Sequence, residues 1–178
     1  SSQATITQID RQAPIIASAI ATNQWGTTEK ITVEGTDEEN GSGIAGYILT
    51  TTTDKPDLNS EKWQTSNEFI VSTNDTWYAW IKDNAGNISN YRTVTNSHVC
   101  LGIWDVSKKQ DETVHGILKL DGTLLITGKG ETYNYNGLTD RPYNSLSSKI
   151  TSVVVEEGVT SLGTRFLQSI NTIKTINL

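Results

Sequence analysis

Hard oxygen donors crowd two short stretches of the chain, Asp37-Glu38-Glu39-Asn40-Gly41-Ser42-Gly43 and Asp83-Asn84-Ala85-Gly86-Asn87. Carboxylate, amide and carbonyl oxygens at that density suit calcium, a hard cation that gathers about six to eight oxygen ligands. The same residues have a plainer use, because Asp83 and Asn84 can accept backbone N–H bonds inside their own turn. Spacing alone leaves both uses open.

Other chemistry is poorly supplied. His98 and Cys100 stand two apart, so on an extended strand their side chains share a face. No Asp or Asn is placed to orient the imidazole, and an activated nucleophile needs a base that is itself held. Cys100 therefore reads as a small buried thiol. One cysteine with His98 and His115 cannot complete a structural zinc cage, nor can it form an internal disulfide. The acidic clusters 37–39, Glu112 and Glu156-Glu157 give no pair that must face another across a cleft, as glycan hydrolysis requires, and read as solvated charge. The chain is expected to be non-enzymatic.

Composition narrows the partners. The 178 residues carry a net charge of -6, which leaves no basic footprint for nucleic acid or anionic lipid. No apolar run approaches the roughly 20 residues of a membrane-spanning helix, so no membrane insertion is expected. The opening SSQATITQIDRQ lacks the apolar core of a signal peptide and suggests a soluble piece already trimmed. Ser, Thr and Asn make up about a third of the chain, a composition suited to a wet, outward-facing β protein.

Residues 1–12 are polar and aperiodic and read as a linker or a frayed first strand. Short β segments follow at 15–20, 30–34, 43–51, 68–72, 76–82 and 88–95, separated by turn residues. Within Thr76-Trp77-Tyr78-Ala79-Trp80-Ile81-Lys82, alternation puts Trp77, Ala79 and Ile81 on a core face and Tyr78, Trp80 and Lys82 on the other. Asn84, Gly86 and Asn87 then allow a tight hairpin connection. So many short strands imply a sandwich.

The acidic loop TDEENGSGI, the strand around Tyr47, Trp63 and the stretch WYAWIKDNAGNIS together resemble a bacterial immunoglobulin-like domain of surface proteins, over about residues 13–96. In such a sandwich the loops carrying the two oxygen-rich stretches share one end, so the resemblance implies that Asp37, Glu39 and Asp83 converge on calcium. The alternation along 76–82 puts Tyr78 and Trp80 on an outer face, where two rings can stack on a sugar, anchor a protein partner or be covered by neighbouring chain. Some domains of this kind carry a Lys-Asn isopeptide bond. Lys30 with Asn90 or Asn96 is the only candidate, and no apolar setting or neighbouring acid around Lys30 supports it.

Residues 97–116 read as transitional, with Val99, Leu101, Ile103 and Trp104 ahead of a polar run. Segments 116–120 and 123–127 flank Asp121-Gly122, a two-residue hairpin signal. Pro142 then forbids a continuous helix or central strand. Aligning Ile150-Thr-Ser-Val153-Val-Val155 with Ile173-Lys-Thr-Ile176-Asn-Leu178 gives a period of 23 residues, in the range of stacked solenoid units. Val159, Leu162, Phe166, Leu167 and Ile170 supply inward groups between them.

The run from Asp121 to Gly130, a tyrosine-rich loop and then Ile150 to Gly163 resemble the N-terminal entry and first repeat of BspA-type leucine-rich-repeat surface proteins. That family usually has Pro-Trp, an Ala-Phe pair and a Cys, where this chain has Pro142-Tyr143, Phe166-Leu167 and Ile170. The expected outward strand residues are Ser152 and Val154 in one unit and Thr175 and Asn177 in the next. A unit cannot bury its apolar face alone, so the chain is expected to be a fragment of a longer protein.

The expectation is a mainly β chain: a linker over 1–12, an immunoglobulin-like β-sandwich over 13–96, then over 97–178 a β-hairpin and the start of a leucine-rich-repeat solenoid. The two resemblances imply a secreted or wall-attached bacterial module for adhesion to, or binding of, an extracellular protein or glycan. An accessory region of an extracellular carbohydrate-degrading enzyme is the alternative.

Overall fold

Alternating apolar residues and Gly- or Asn-bearing turns produce a mainly β chain in the computed structural model, which describes residues 9–178. The linker expected over 1–12 lies outside the described residues through residue 8. The chain divides into two units: residues up to Asn23 with Glu29–Ser97, and Gln24–Thr28 with His98–Leu178.

The first unit contains β1 (Ile15–Ala21), β2 (Glu29–Thr36), β3 (Ile44–Thr50), β4 (Glu68–Val71), β5 (Thr76–Asp83) and β6 (Arg92–Thr95). They form two antiparallel three-stranded sheets, ordered β1-β2-β4 and β3-β5-β6. Ile31 and Val33 from one sheet and Ala79, Ile81 and Val94 from the other belong to a single buried cluster, against which Trp77 packs. The alternation expected along β5 is therefore present, with Ala79 and Ile81 facing this core. The last strand is shorter than the 88–95 segment predicted. Ser89 donates its backbone N–H to Ile81 O and accepts Ile81 N–H on its hydroxyl, so this segment is held to β5 partly by a side chain, and the one β-bridge within 88–91 is Lys82–Ile88.

The second unit contains β7 (Cys100–Asp105), β8 (Val114–Lys119), β9 (Thr123–Gly128), β10 (Gly130–Glu131), β11 (Ser152–Val155), β12 (Val159–Ser161) and β13 (Thr175–Asn177). A five-stranded sheet runs β13-β11-β9-β8-β7, with β10 paired to β12. Asp121-Gly122 makes the predicted hairpin: Gly122 has φ +86°, its N–H reaches Lys119 O at 3.1 Å, and Thr123 N–H reaches Asp121 Oδ1 at 2.8 Å. Strands β9, β11 and β13 are parallel and in register, so Thr123, Ser152 and Thr175 form one row and Leu124, Val153 and Ile176 the next. Ser152 and Thr175 are separated by 23 residues, the predicted step. Leu124, Val153, Phe166, Ile170, Tyr135 and Tyr143 share the buried core of this unit. Around Pro142 the chain makes only short 3-10 turns, Leu138–Asp140 and Asn144–Lys149.

Two features of this unit differ from expectation. The segment taken as transitional contains β7, an edge strand of the main sheet, because Ile103 and Trp104 find partners in Ile117 and Gly116 of β8. The short segment Gln24–Thr28, which sequence reading places among the strands of the first half, belongs here: Gly26 pairs with Val99, and Trp25 packs on Cys100, Ile117 and Leu125.

Candidate functional site

The connection from β2 to β3 and the turn after β5 are laced together by short polar bonds. Gly43, in the left-handed region at φ +78°, donates its N–H to Asp37 Oδ2 at 2.7 Å. The Asn84 amide donates to Ser42 O at 2.8 Å and Gly43 O at 2.9 Å, and Ala85 N–H reaches Ser42 Oγ at 3.0 Å. Asp83 Oδ1 and Oδ2 accept the backbone N–H and side-chain amide of Asn87 at 2.8 and 2.7 Å. Ser42 in turn gives its N–H to Asp10 Oδ2 at 2.7 Å.

These bonds gather three carboxylates from distant parts of the chain. Oxygens of Asp10, Asp37 and Asp83 all lie within 4.8 Å of one another, and Asp83 is buried. Asp83 has the turn role foreseen for it, accepting both bonds from Asn87, and the same carboxyl lies beside two other acids. Glu39 is not in the group, which corrects the expected set of Asp37, Glu39 and Asp83. The Asp37–Gly41 segment closes as a tight turn, with Gly41 N–H on Glu38 O at 2.9 Å and Asn40 at φ +71°, and it leaves Glu39 exposed. Asp10 takes the third place. Its polar, aperiodic surroundings gave it no sequence signal beyond its own carboxyl group.

The electrostatics match this crowding. The Ser42 side chain and backbone N–H hold the Asp10 carboxyl down at about 2. The neighbouring Asp37 carboxyl pushes Glu38 up to about 7, because two carboxylates at close range do not both ionise easily. Asp37 Oδ1 and Glu38 Oε2 are closed off from solvent and accept no hydrogen bond. Shielded carboxylate oxygens without donors call for a proton or a hard cation, and a set made only of oxygens fits calcium better than a metal that prefers nitrogen or sulfur.

The aromatic face is arranged differently from expectation. Trp80 is only 4% exposed and forms a second small cluster with Ile48 and Ile88, against which Trp63 and the half-buried Tyr78 pack. Of the alternatives read from the sequence, cover by neighbouring chain is the one present, and Tyr78 with Trp80 does not form the exposed pair that a ligand contact would need. The cover comes from the long connection between β3 and β4. Gln64 exchanges backbone bonds with Tyr47 at 2.8 and 3.0 Å, Trp63 Nε1 donates to Asp57 O at 2.9 Å, and Lys82 Nζ reaches Leu58 O at 3.1 Å while lying 4.9 Å over the Trp63 ring. Trp80 Nε1 is itself used, donating to Thr50 Oγ1 at 3.0 Å. The exposed ring is Tyr91, whose centroid lies 5.1 Å from Tyr78 and 5.4 Å from Trp80. It stands outside any strand, where alternation carries no information.

The remaining candidates have structural employment. Cys100 is buried, and burial raises its thiol pKa, while His98 makes an edge contact with Trp25 at 4.7 Å. Lys30 Nζ is paired with Glu68 at 2.7 Å, and the Asn96 amide donates to Thr73 O at 2.8 Å. Thr175 and Asn177 are exposed on β13, Ser152 is half-buried, and Val154 packs against the cluster around Cys100, Ile117 and Leu125.

The chain is similar to a leucine-rich repeat protein from Eubacterium ventriosum ATCC 27560 solved by crystallography, with 28% identity and a TM-score of 0.39. That alignment covers 42% of this chain and 19% of the other, so the chain spans about a fifth of that protein. No family model matches the chain, and no curated protein matches it.

Proposed function

We propose that the chain is a non-catalytic, calcium-stabilised binding module of a secreted or wall-attached bacterial protein, directed at an extracellular protein or glycan. The observation that carries this reading is the convergence of Asp10, Asp37 and Asp83, with two shielded carboxylate oxygens, one on Asp37 itself and one on Glu38, that accept no hydrogen bond. Calcium sites in extracellular modules are weak, with dissociation constants of about 0.1–1 mM, and fill only where the free ion is abundant. Asp10, Asp37 and Asp83 would hold the ion; its chemistry there is neutralisation of crowded negative charge. Two three-stranded sheets around one core support an immunoglobulin-like sandwich for the first unit. The in-register parallel strands stepped by 23 residues support a BspA-type leucine-rich-repeat solenoid for the second.

The test is thermal unfolding of the whole chain in millimolar calcium and in chelator. The expected result is a higher melting temperature with calcium, an increment lost in Asp83→Asn and Asp37→Asn and not reproduced by the same concentration of magnesium. At tenfold excess over its dissociation constant an ion bound only to the folded state adds about 1.4 kcal/mol. Coincident melting curves with and without chelator would remove calcium from the reading.

A further inference from the structure

Two of the three carboxylates at the oxygen-rich site are fixed by the sheets, and the third is not. Asp83 ends β5, is buried, and accepts both bonds from Asn87. Asp37 takes the N–H of Gly43 within the connection between β2 and β3. Asp10 sits instead on a short arm, residues 9–13, that has no strand or helix and leads into the buried Pro14 just before β1. We propose that a calcium ion held by Asp10, Asp37 and Asp83 latches this arm to the first unit, so that the order of residues 9–13 follows the free calcium concentration. The proposal rests on the calcium reading above and adds a calcium-controlled segment to it.

The arm has little else to hold it. Ile9 is 63% exposed, and residues 11–13 are exposed as well. Among the described residues, every hydrogen bond from 9–13 to the rest of the unit passes through Asp10. Ser42 N–H reaches its Oδ2 at 2.7 Å, and the Asn87 amide makes only a long contact of 3.5 Å to its backbone carbonyl. The bond from Gln12 N–H to Asp10 Oδ1 at 3.0 Å stays within the arm. Oxygens of Asp37 and Asp83 lie within 4.8 Å of Asp10. Like charges at that range repel, and the repulsion acts on the one member able to move away. Without an ion, a single charge-assisted bond from Ser42 opposes that departure.

A bound cation reverses the sign of the interaction. It attracts all three carboxylates, and Asp10 can serve it without giving up Ser42 or Gln12, because each carboxylate oxygen has a second lone pair. What calls for the cation is independent of the arm: Asp37 Oδ1 and Glu38 Oε2 are shielded and accept no hydrogen bond. Calcium tolerates the irregular ligand set that an arm and two loops supply, whereas magnesium demands near-ideal octahedral geometry. Releasing 9–13 breaks no strand pairing, so it is a local opening and not unfolding of the sheets. Arg11 follows Asp10 directly, so a trypsin-like protease must lift the latching residue to reach the Arg11–Gln12 bond.

The test follows tryptic cleavage at Arg11–Gln12 in the full chain by mass spectrometry, in millimolar calcium, in the same concentration of magnesium and in chelator. Cleavage after Lys109, in the exposed turn between β7 and β8, is the internal reference and corrects for any effect of calcium on the protease. Hydrogen exchange of the Ser42 amide, which Asp10 protects, is measured in parallel and decides the matter if trypsin engages the arm poorly. At tenfold excess over its dissociation constant, calcium is expected to slow both reactions by about tenfold, and magnesium to leave them at the chelator rate. Asp10→Asn should be cleaved quickly in all three conditions. Calcium that raises the melting temperature while changing neither rate overturns the latch and leaves the calcium reading standing. No response in melting temperature or in either rate overturns both, and calcium protection that persists in Asp10→Asn overturns Asp10 as the latch.

Discussion

Ser42 donates its backbone N–H to Asp10 Oδ2 at 2.7 Å, a bond that spans 32 residues of sequence and ties the segment before β1 to the connection between β2 and β3. The Asp10 pKa falls from 3.8 to about 2 as a result, with the Ser42 contacts as the largest cause. A depressed carboxyl contributes stability that is fully present above its unfolded value and is lost as pH falls through its folded one. Asp10→Ala should therefore lower the melting temperature at pH 6 in chelator, and its deficit against the native chain should shrink between pH 4 and pH 2. An equal deficit at both ends of that range would show that the carboxylate charge is not what Ser42 holds.

Glu38 behaves in the opposite sense. Its pKa rises from 4.5 to about 7 beside Asp37, so its contribution is fully present below pH 4.5 and is lost as pH rises through 7. In chelator the chain should be less stable at pH 8 than at pH 6, and Glu38→Gln should flatten that slope. With calcium present the competition reverses direction, and ion binding near pH 6 should release protons. Calorimetry in buffers of different ionisation enthalpy measures that release directly, and a buffer-independent heat would contradict it.

Trp80 and Tyr91 touch each other but do different work. Removing a buried indole leaves a cavity and abandons its bond to Thr50 Oγ1. Trp80→Ala should destabilise by about 3–5 kcal/mol in denaturant titration, the range for large aromatic truncations in cores. Tyr91, at 44% exposed, should tolerate alanine with a loss of about 1 kcal/mol or less. Comparable losses for the two would mean that the long β3–β4 connection does not cover Trp80 in solution.

What was legible in the sequence was local and periodic. Alternation around Ala79 and Ile81 located a core face, Asp121-Gly122 located a hairpin, and the match of Ile150 with Ile173 located strands that pair in parallel with Ser152 beside Thr175. Each signal lies within a few residues or repeats at a fixed step. Asp10 could not be found that way, because its partners are Ser42, Asp37 and Asp83 and nothing in its own neighbourhood is periodic. The burial of Trp80 was hidden for the same reason: the cover over its strand comes from an irregular connection held by Gln64, Trp63 and Leu58. Trp25 was hidden too, since its contacts with Cys100 and Ile117 depend on a crossing that no pattern at 24–28 announces.

Tyr135 and Tyr143 offer a matched pair, since both rings are buried in one core and only one hydroxyl is used by the protein. Tyr143→Phe removes the donor to Phe166 O, which retains only a longer contact of 3.4 Å from Arg141 Nη1. Loss of a buried hydrogen bond of this kind should cost about 1–2 kcal/mol. Tyr135→Phe removes a hydroxyl that has no partner among the described residues and is not closed off from solvent, so it should leave stability nearly unchanged. Urea titration of the two variants measures the contrast, with unchanged m values showing that the unfolded state is not the source. A loss for Tyr135→Phe as large as that for Tyr143→Phe would mean that its hydroxyl is already committed to the fold.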